Sequence, residues 1–444
     1  MDFNIVKEMK NISREELADI CLKSKRIFIY GAGRMGLTVF YGLKDMGIRV
    51  ASFVVSDKAL NVYKEINTEI VGCSEMSFAP DDLLIVAVTS RYRDEVLNNI
   101  QQVKGKHLIV QDEYYSRYYP VYKDKVDAVL QEVEWTYYQN TEKSSFEQQF
   151  NDIDFCNELF MEKWRRLTRN LDAKSVSNLL LCLYRMTQVK QEEGKLLDIF
   201  TSEEKNKRRE VCKELSENIV KFADDVWGYR GKLLPRNDFR EDIFVEKLGI
   251  ESITNIRKYE KKDILDVGAY IGDSALVLSE YTKGTVYAFE PVREHIEMIK
   301  KTAYLNNSNI VPVELAVGAE IEETALWVGE TEYVSGLKEL DARKYSVKRM
   351  VTKGTIDDYV EKRNLDIGII KIHAEGCEQE VIQGAIRTIK EQSPILIVEM
   401  NHTESDFWNI KPILEEINSK YSFSVYKPHN GLVIHGLKLI AEVV

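Results

Sequence analysis

The stretch Lys262-Asp263-Ile264-Leu265-Asp266-Val267-Gly268-Ala269-Tyr270-Ile271-Gly272-Asp273-Ser274 decides the fold. Its apolar run is strand-length and carries an acid near its end, and the chain then turns through two glycines into a helical stretch. A second acid, Glu290, ends the next apolar run, TVYAFE (285–290), 24 positions after Asp266. That interval is one strand–helix–strand unit. Ligands of open α/β sheets sit beyond the carboxyl ends of the strands, where both acids fall. An ionised carboxylate offers two acceptor oxygens, so Glu290 can accept both hydroxyls of a ribose. The gap between Gly268 and Gly272 suits a bulkier ligand edge than a pyrophosphate. The plainer alternative is a simple turn.

Outward from this unit, strand-length runs alternate with helical stretches. NIVPVELAV (309–317), IGIIKI (367–372) and PILIVEM (394–400) read as further strands, and YSFSVYK (421–427) with GLVIHGLKLIAEV (431–443) as a closing antiparallel hairpin. The first 120 residues repeat the style with RIFIY (26–30), VASFVV (50–55), DLLIVAV (82–88) and HLIVQ (107–111). The opening MDFNIVKEMKNISREELADI has apolar residues at helical spacing. Between 121 and 235 no strand-like run is evident. FNDIDFCNELFMEKWRRL, SVSNLLLCLYRM and EEKNKRREVCKELSENIVKF carry apolar residues three and four apart, as helices do. The charged run Glu203 to Glu210 reads as a solvated helix face. The fold class expected is therefore α/β, with two doubly wound Rossmann-like domains (1–120 and 236–444) joined by a helical block (121–235).

A second glycine loop lies in the first domain. RIFIY runs directly into Gly31-Ala32-Gly33-Arg34-Met35-Gly36 and a helical LTVFYGLKDMG. This G-x-G-x-x-G sits after a strand and opens a helix, the context that brings a pyrophosphate to the backbone and to the positive helix end. Asp57 lies roughly where a ribose-binding acid belongs, although Ser56-Asp57 could equally be a turn or cap. Gly31, Gly33, Arg34, Gly36 and Asp57 are thus candidates for a nucleotide or nucleotide-sugar site. A purely structural loop is the alternative.

Composition bounds these readings. At about 150 residues per domain, 444 residues allow two or three domains. The 72 acids outnumber 61 bases for a net charge of −11, which argues against a general nucleic-acid binder. Six irregularly spaced cysteines without a CxxC pair suggest neither zinc nor a disulfide framework and fit a reducing cytosol. The N-terminus lacks the apolar core of a signal peptide. No apolar run approaches the roughly 20 residues of a membrane span. A cytoplasmic protein is expected; a homo-oligomer is left open.

Downstream motifs narrow the C-terminal domain. Thr355-Ile356-Asp357-Asp358-Tyr359 precedes IGIIKI, which leads into Lys371-Ile372-His373-Ala374-Glu375-Gly376-Cys377-Glu378 and then VIQGA. PILIVEM is followed by Asn401-His402. With the Asp266–Gly272 loop and Glu290, this order resembles the FkbM family of class I S-adenosylmethionine-dependent methyltransferases over about residues 236–444. The resemblance implies a class I fold and methyl transfer from S-adenosylmethionine, usually to a hydroxyl oxygen of a sugar or other metabolite. It implies cofactor contacts from Asp266, Gly268, Ala269, Tyr270, Gly272, Asp273, Ser274, Glu290, Pro291 and, on the adenine side, Ala316. The family also occurs with a Rossmann-like N-terminal domain and helical linker.

One departure matters. The family motif has Asp where this chain has His373. Transfer to an alcohol needs the hydroxyl proton removed, and imidazole lies nearer neutral pH than a carboxylate. His373 is thus a candidate base; weaker chemistry, a lost metal site, or mere orientation of Glu375 are the alternatives. Glu375 and His402 match the family pattern and join the catalytic candidates. Lys371 could pair with an acid or a substrate phosphate. His373, Glu375 and His402 could jointly ligate a divalent metal, but no local HxxxH-type spacing supports this and no metal is expected. Asp357 and Asp358 read as a first helical turn complementing the dipole. Tyr114, Tyr115, Tyr118 and Tyr119 read as a domain interface, with a sugar-stacking surface the lesser alternative. The expected activity is S-adenosylmethionine-dependent O-methylation of a sugar, nucleotide-sugar, glycan or related metabolite. Two other classes stay open. One is an NAD-dependent sugar oxidoreductase using GAGRMG, although no Tyr-x-x-x-Lys pair accompanies the loop. The other is a non-catalytic cofactor-binding protein.

Overall fold

A computed structural model describes residues 5–9, 12–55, 68–75, 77–88, 106–111, 114–123, 157–191, 200–329, 335–336, 345–429 and 432–444, with scattered residues between 93 and 129. The chain separates into two compact units, one of residues 1–142 and 192–198, the other of residues 143–191 and 199–444.

The first unit is a six-stranded sheet of β1 (Ile5–Met9), β2 (Ile27–Tyr30), β3 (Ser52–Val55), β4 (Ile70–Gly72), β5 (Leu83–Val86) and β6 (Lys106–Val110), in the order β1-β6-β5-β2-β3-β4. Every pairing is parallel. The four strands expected from the apolar runs are present, and β2, β3 and β5 are buried along their whole length, as parallel strands covered on both faces must be. The opening segment is not continuously helical: β1 pairs with β6 before a helix at Arg14–Leu22. That helix is held by a capping box in which Ser13 and Glu16 satisfy each other's backbone N–H groups. Tyr114 is buried in the core of this unit, and Tyr115, Tyr118 and Tyr119 pack against that core.

The second unit is built on a seven-stranded sheet. Its strands are β10 (Asp263–Val267), β11 (Val286–Glu290), β12 (Ile310–Glu314), β17 (Ile367–Ile372), β18 (Ile395–Glu399), β19 (Ser422–Tyr426) and β20 (Lys438–Glu442). Their order is β12-β11-β10-β17-β18-β20-β19. β20 runs antiparallel to both neighbours and the other pairings are parallel. The chain thus reverses strand order beside β10, the arrangement that opens a crevice at the strand ends. The expected closing hairpin is present as β19 and β20. A smaller sheet of β13 (Ala316–Val317), β14 (Glu322–Gly329), β15 (Ser335–Gly336) and β16 (Tyr345–Gly354) adds a long antiparallel pair that the sequence reading did not expect.

The helices expected between 121 and 235 appear as Glu158–Thr168, Ala173–Gln191 and Ser202–Asn218. The second of these docks on the large sheet: Ser175 Oγ accepts from Val425 N at 2.8 Å, and Asn178 donates to Val425 O at 3.0 Å. The block does not stay helical to 235. β7 (Ile219–Ala223), β8 (Val226–Tyr229) and β9 (Lys232–Leu234) form an antiparallel meander. Arg230 and Gly231, both at positive φ, supply the two-residue turn that suits strand twist. Among the described residues no helix is long and apolar enough to cross a membrane.

Candidate active site

The chain leaves β10 into a loop pressed hard against the end of β17. Gly268 has φ +75°, and a Cβ there would lie 1.9 Å from the His373 carbonyl oxygen, so only glycine fits. Gly268 N and Ala269 N both donate to Phe289 O, at 3.1 and 3.0 Å. Tyr270 follows in a left-handed conformation, φ +49°, which aims its N–H at Glu290 Oε2, 3.0 Å away. The other Glu290 oxygen accepts from Val292 N at 3.0 Å and faces His295 Nδ1 at 3.3 Å. His295 is buried and meets the Tyr270 ring edge-on, with centroids 4.7 Å apart. Its Nε2 has no hydrogen-bond partner among the described residues.

Asp266 sits beneath this loop. One oxygen accepts from Ser274 Oγ at 2.6 Å and the other pairs with Lys371 Nζ at 2.8 Å; both side chains of that ion pair are buried. Lys371 also donates to Gly268 O at 2.8 Å. The lysine is therefore a strut tying β17 to the glycine loop. Asp273 opens the following helix, Asp273–Leu278, and is buried. Burial pushes its carboxyl up to about 7, against the pull of Arg240.

The end of β17 carries the second group. His373 Nε2 lies 3.2 Å from Glu375 Oε1, and His402, beyond β18, puts its Nε2 3.7 Å from Glu375 Oε2. Glu375 is held at φ +48°. Partial burial opposes ionisation of Glu375, but His402 and His373 outweigh it and hold the carboxyl at about 2. Burial likewise opposes charge on His402, yet Glu378 and Glu375 raise it to about 10. Glu378 accepts from Ala374 N and Gly376 N, at 2.7 and 2.9 Å, and faces His402 Nδ1 at 2.8 Å.

One cavity joins these groups. Of the expected residues it is lined by Gly268, Tyr270, Asp273, Ser274, Glu290, Pro291, Ala316, Lys371, His373 and Glu375. Asp266, Ala269, Gly272 and His402 do not line it. Leu315, Val317, Leu326 and Phe289 give it an apolar wall. In the first unit, Gly31, Gly33, Arg34 and Gly36 form the loop from β2 into the helix Arg34–Asp45. A Cβ on Gly36 would fall 1.7 Å from Gly31 O, whereas Gly33 has open space beside it. Asp57 lies outside the described residues.

The sequence profile of the methyltransferase FkbM domain matches residues 266–425. Residues 266–425 are thus similar to the methyltransferase FkbM domain. Comparison with curated proteins gave no match. Among solved structures, the chain is similar to methyltransferase FkbM from Methylobacillus flagellatus KT, at 14% identity and TM-score 0.42, over 96% of this chain and 92% of that one. It is similar to the Methanococcus jannaschii fibrillarin pre-rRNA processing protein, at 14% identity and TM-score 0.30, over 51% of this chain and 81% of that one. A third likeness is to a putative O-methyltransferase from Klebsiella pneumoniae, at 11% identity and TM-score 0.29, over 52% of this chain and 89% of that one.

The site also contains residues that the sequence does not point to. Arg240 pairs with Asp242 at 3.2 Å, Asp242 with Lys438 at 3.4 Å, and Lys438 with Glu399 at 2.8 Å. Glu399 in turn lies 3.8 Å from His373 Nδ1. Nothing local in the sequence links 240, 399 and 438. His295 had a signal: it lies five positions after the strand-end acid, on the helix that acid opens.

Proposed function

We propose that the chain is an S-adenosylmethionine-dependent O-methyltransferase acting on a hydroxyl of a sugar, nucleotide-sugar, glycan or related metabolite. The observation that carries this reading is the single cavity lined by Gly268, Tyr270 and Glu290 together with His373 and Glu375. Three features fit the cofactor. The Gly268 loop leaves a backbone cradle that a side chain would fill. Buried His295 Nε2 awaits a partner. Leu315, Val317 and Leu326 offer a flat apolar ring such as adenine a dry wall.

S-adenosylmethionine bound there supplies a methyl group activated on a sulfonium sulfur. Glu290 Oε2 accepts one backbone N–H and keeps a lone pair for a ribose hydroxyl, while Oε1 is engaged by Val292 N and His295 Nδ1. Ala316 and the wall beside it exclude water from the adenine side. His373 and Glu375 handle the acceptor hydroxyl; orienting it and relieving it of its proton makes the oxygen nucleophilic. Glu375, held at about 2, is itself a poor proton acceptor.

The N-terminal Rossmann-like region, residues 1–120, would hold a nucleotide or nucleotide-sugar at Gly31, Gly33, Arg34 and Gly36. Open space at Gly33 and a helix start with no side-chain cap support this. Calorimetry with S-adenosylhomocysteine and with uridine or guanosine diphosphate sugars tests both sites. Saturable binding of S-adenosylhomocysteine is expected; its absence overturns the methyltransferase reading. Lack of nucleotide binding removes the N-terminal assignment alone. Loss of transfer in Glu375→Gln with full activity in His373→Ala would remove His373 from the chemistry.

A further inference from the structure

Each histidine beside Glu375 uses its two ring nitrogens in the same way. His373 and His402 both turn Nε2 toward Glu375, and both face a buried glutamate with Nδ1: Glu399 at 3.8 Å and Glu378 at 2.8 Å. Those glutamates are fixed in turn. Glu378 holds two backbone N–H groups, and Glu399 pairs with buried Lys438 at 2.8 Å while its other oxygen has no hydrogen-bond partner among the described residues. One ligand-type atom from each of His373, Glu375 and His402 lies within 4.8 Å of the other two. The Glu375 carboxylate faces both rings, and its backbone is held at φ +48°.

Carboxylates behind the far nitrogens of two imidazoles, with the near nitrogens converging on a third donor, are the arrangement that orients histidines around a metal ion. An N₂O donor set from two imidazoles and a carboxylate suits a first-row transition metal rather than magnesium or calcium. Three protein donors leave coordination positions open, as catalytic rather than closed structural sites do. His373 and Glu375 line the cavity, so the open side meets the space assigned to the acceptor.

We propose that His373, Glu375 and His402 bind one divalent first-row transition-metal ion, with Glu378 and Glu399 orienting the two histidines. The ion's role in the reaction rests on the methyltransferase reading: as a Lewis acid it takes the acceptor hydroxyl as a ligand and lowers its pKa, so the proton leaves to solvent before or as the methyl arrives. The metal site itself does not depend on that reading.

The test is titration of the chelator-treated full chain with Co²⁺, followed by visible absorption, alongside calorimetry with S-adenosylhomocysteine. One equivalent of Co²⁺ should bind with ligand-field bands that Zn²⁺ abolishes by competition. Glu375→Gln and His402→Gln should each weaken Co²⁺ by about tenfold or more while S-adenosylhomocysteine still binds. His373→Asp, which exchanges one nitrogen donor for oxygen, should shift the bands and so reports on the site even if another variant folds poorly. Wild-type protein that binds S-adenosylhomocysteine but gives no saturable Co²⁺ spectrum overturns the metal site and leaves the methyltransferase reading standing. A saturable Co²⁺ spectrum unchanged in all three variants overturns the ligand assignment. Co²⁺ binding lost in the variants, in protein that never binds S-adenosylhomocysteine, upholds the metal site and removes the methyltransferase reading.

Discussion

Lys371 Nζ lies 2.8 Å from Asp266 Oδ1, and both side chains are sealed from solvent beneath the glycine loop. The pair joins β17 to β10 and, through Gly268 O, fixes the loop above them. Breaking a buried pair from one side leaves an uncompensated charge, costing ~3–5 kcal/mol. Lys371→Met and Asp266→Asn are each expected to lower unfolding free energy by about that much in urea. The double variant should lose clearly less than the sum; strict additivity would show that the two charges do not depend on each other.

Glu290 carries a different expectation, read as ligand affinity. Its carboxylate accepts two backbone N–H groups and, on the proposed reading, the cofactor ribose. Glu290→Gln should weaken S-adenosylhomocysteine by ~1.5–3 kcal/mol, about tenfold or more in Kd. His295→Phe keeps an aromatic ring against Tyr270 but removes the unsatisfied nitrogen. It should cost a few-fold in Kd with little change in melting temperature. Unchanged affinity in both variants would place the ribose elsewhere.

The Asp273 carboxyl gives the protein a pH dependence. Its ordinary value is 3.8 and the fold pushes it up to about 7. Between roughly pH 4 and 7 the native state therefore holds a proton that the unfolded chain has lost. Stability contributed by this group is present at the acid end and falls as pH rises through that window. Asp273→Asn removes the cost of ionising the buried group. The variant's gain over wild type should be larger at pH 8 than at pH 5 by about 2 kcal/mol or more. An equal difference at both values, measured by denaturant unfolding, would contradict the assignment.

Gly268→Ala tests the close approach of two loops. The added methyl must displace the His373 carbonyl and adopt a positive φ. A loss of ~2–4 kcal/mol is expected, above the usual range for a surface change. Because His373 must move with its carbonyl, Co²⁺ affinity should fall as well. A variant that is destabilised yet binds Co²⁺ normally would show that the loop yields on the β10 side alone.

Much of this was legible in the sequence because burial is. The strands β10, β11, β17 and β18 pair in parallel within a sheet covered on both faces, so DILDV, VYAFE, IGIIKI and ILIVE read as apolar runs interrupted only by site or terminal charges. The meander β7–β9 escaped because its first strand, Ile219–Ala223, is largely exposed and its apolar residues continue the helical pattern of the stretch before it. Only its two-residue Arg230-Gly231 turn marked it. Lys371 was visible as a motif residue, but its role was not: whether a lysine faces a substrate or an internal carboxylate depends on a partner 105 positions away. The metal-type cluster His373, Glu375 and His402 was named from the sequence but set aside for a related reason. Its donors come from the ends of two different strands, so they converge in space without any local spacing rule.

The position of β20 has a consequence for how the protein is made. β19 is synthesised first but lies outside β20, with no pairing to the rest of the large sheet except through it. Until residues 438–442 have emerged from the ribosome, the edge of β18 stays open, and an open apolar edge invites pairing with other chains. Lys438, which neutralises Glu399 and Asp242, arrives on the same strand. Glu399, behind His373, thus waits for β20 to bring its counter-charge, and nascent chains are expected to need a chaperone through that interval.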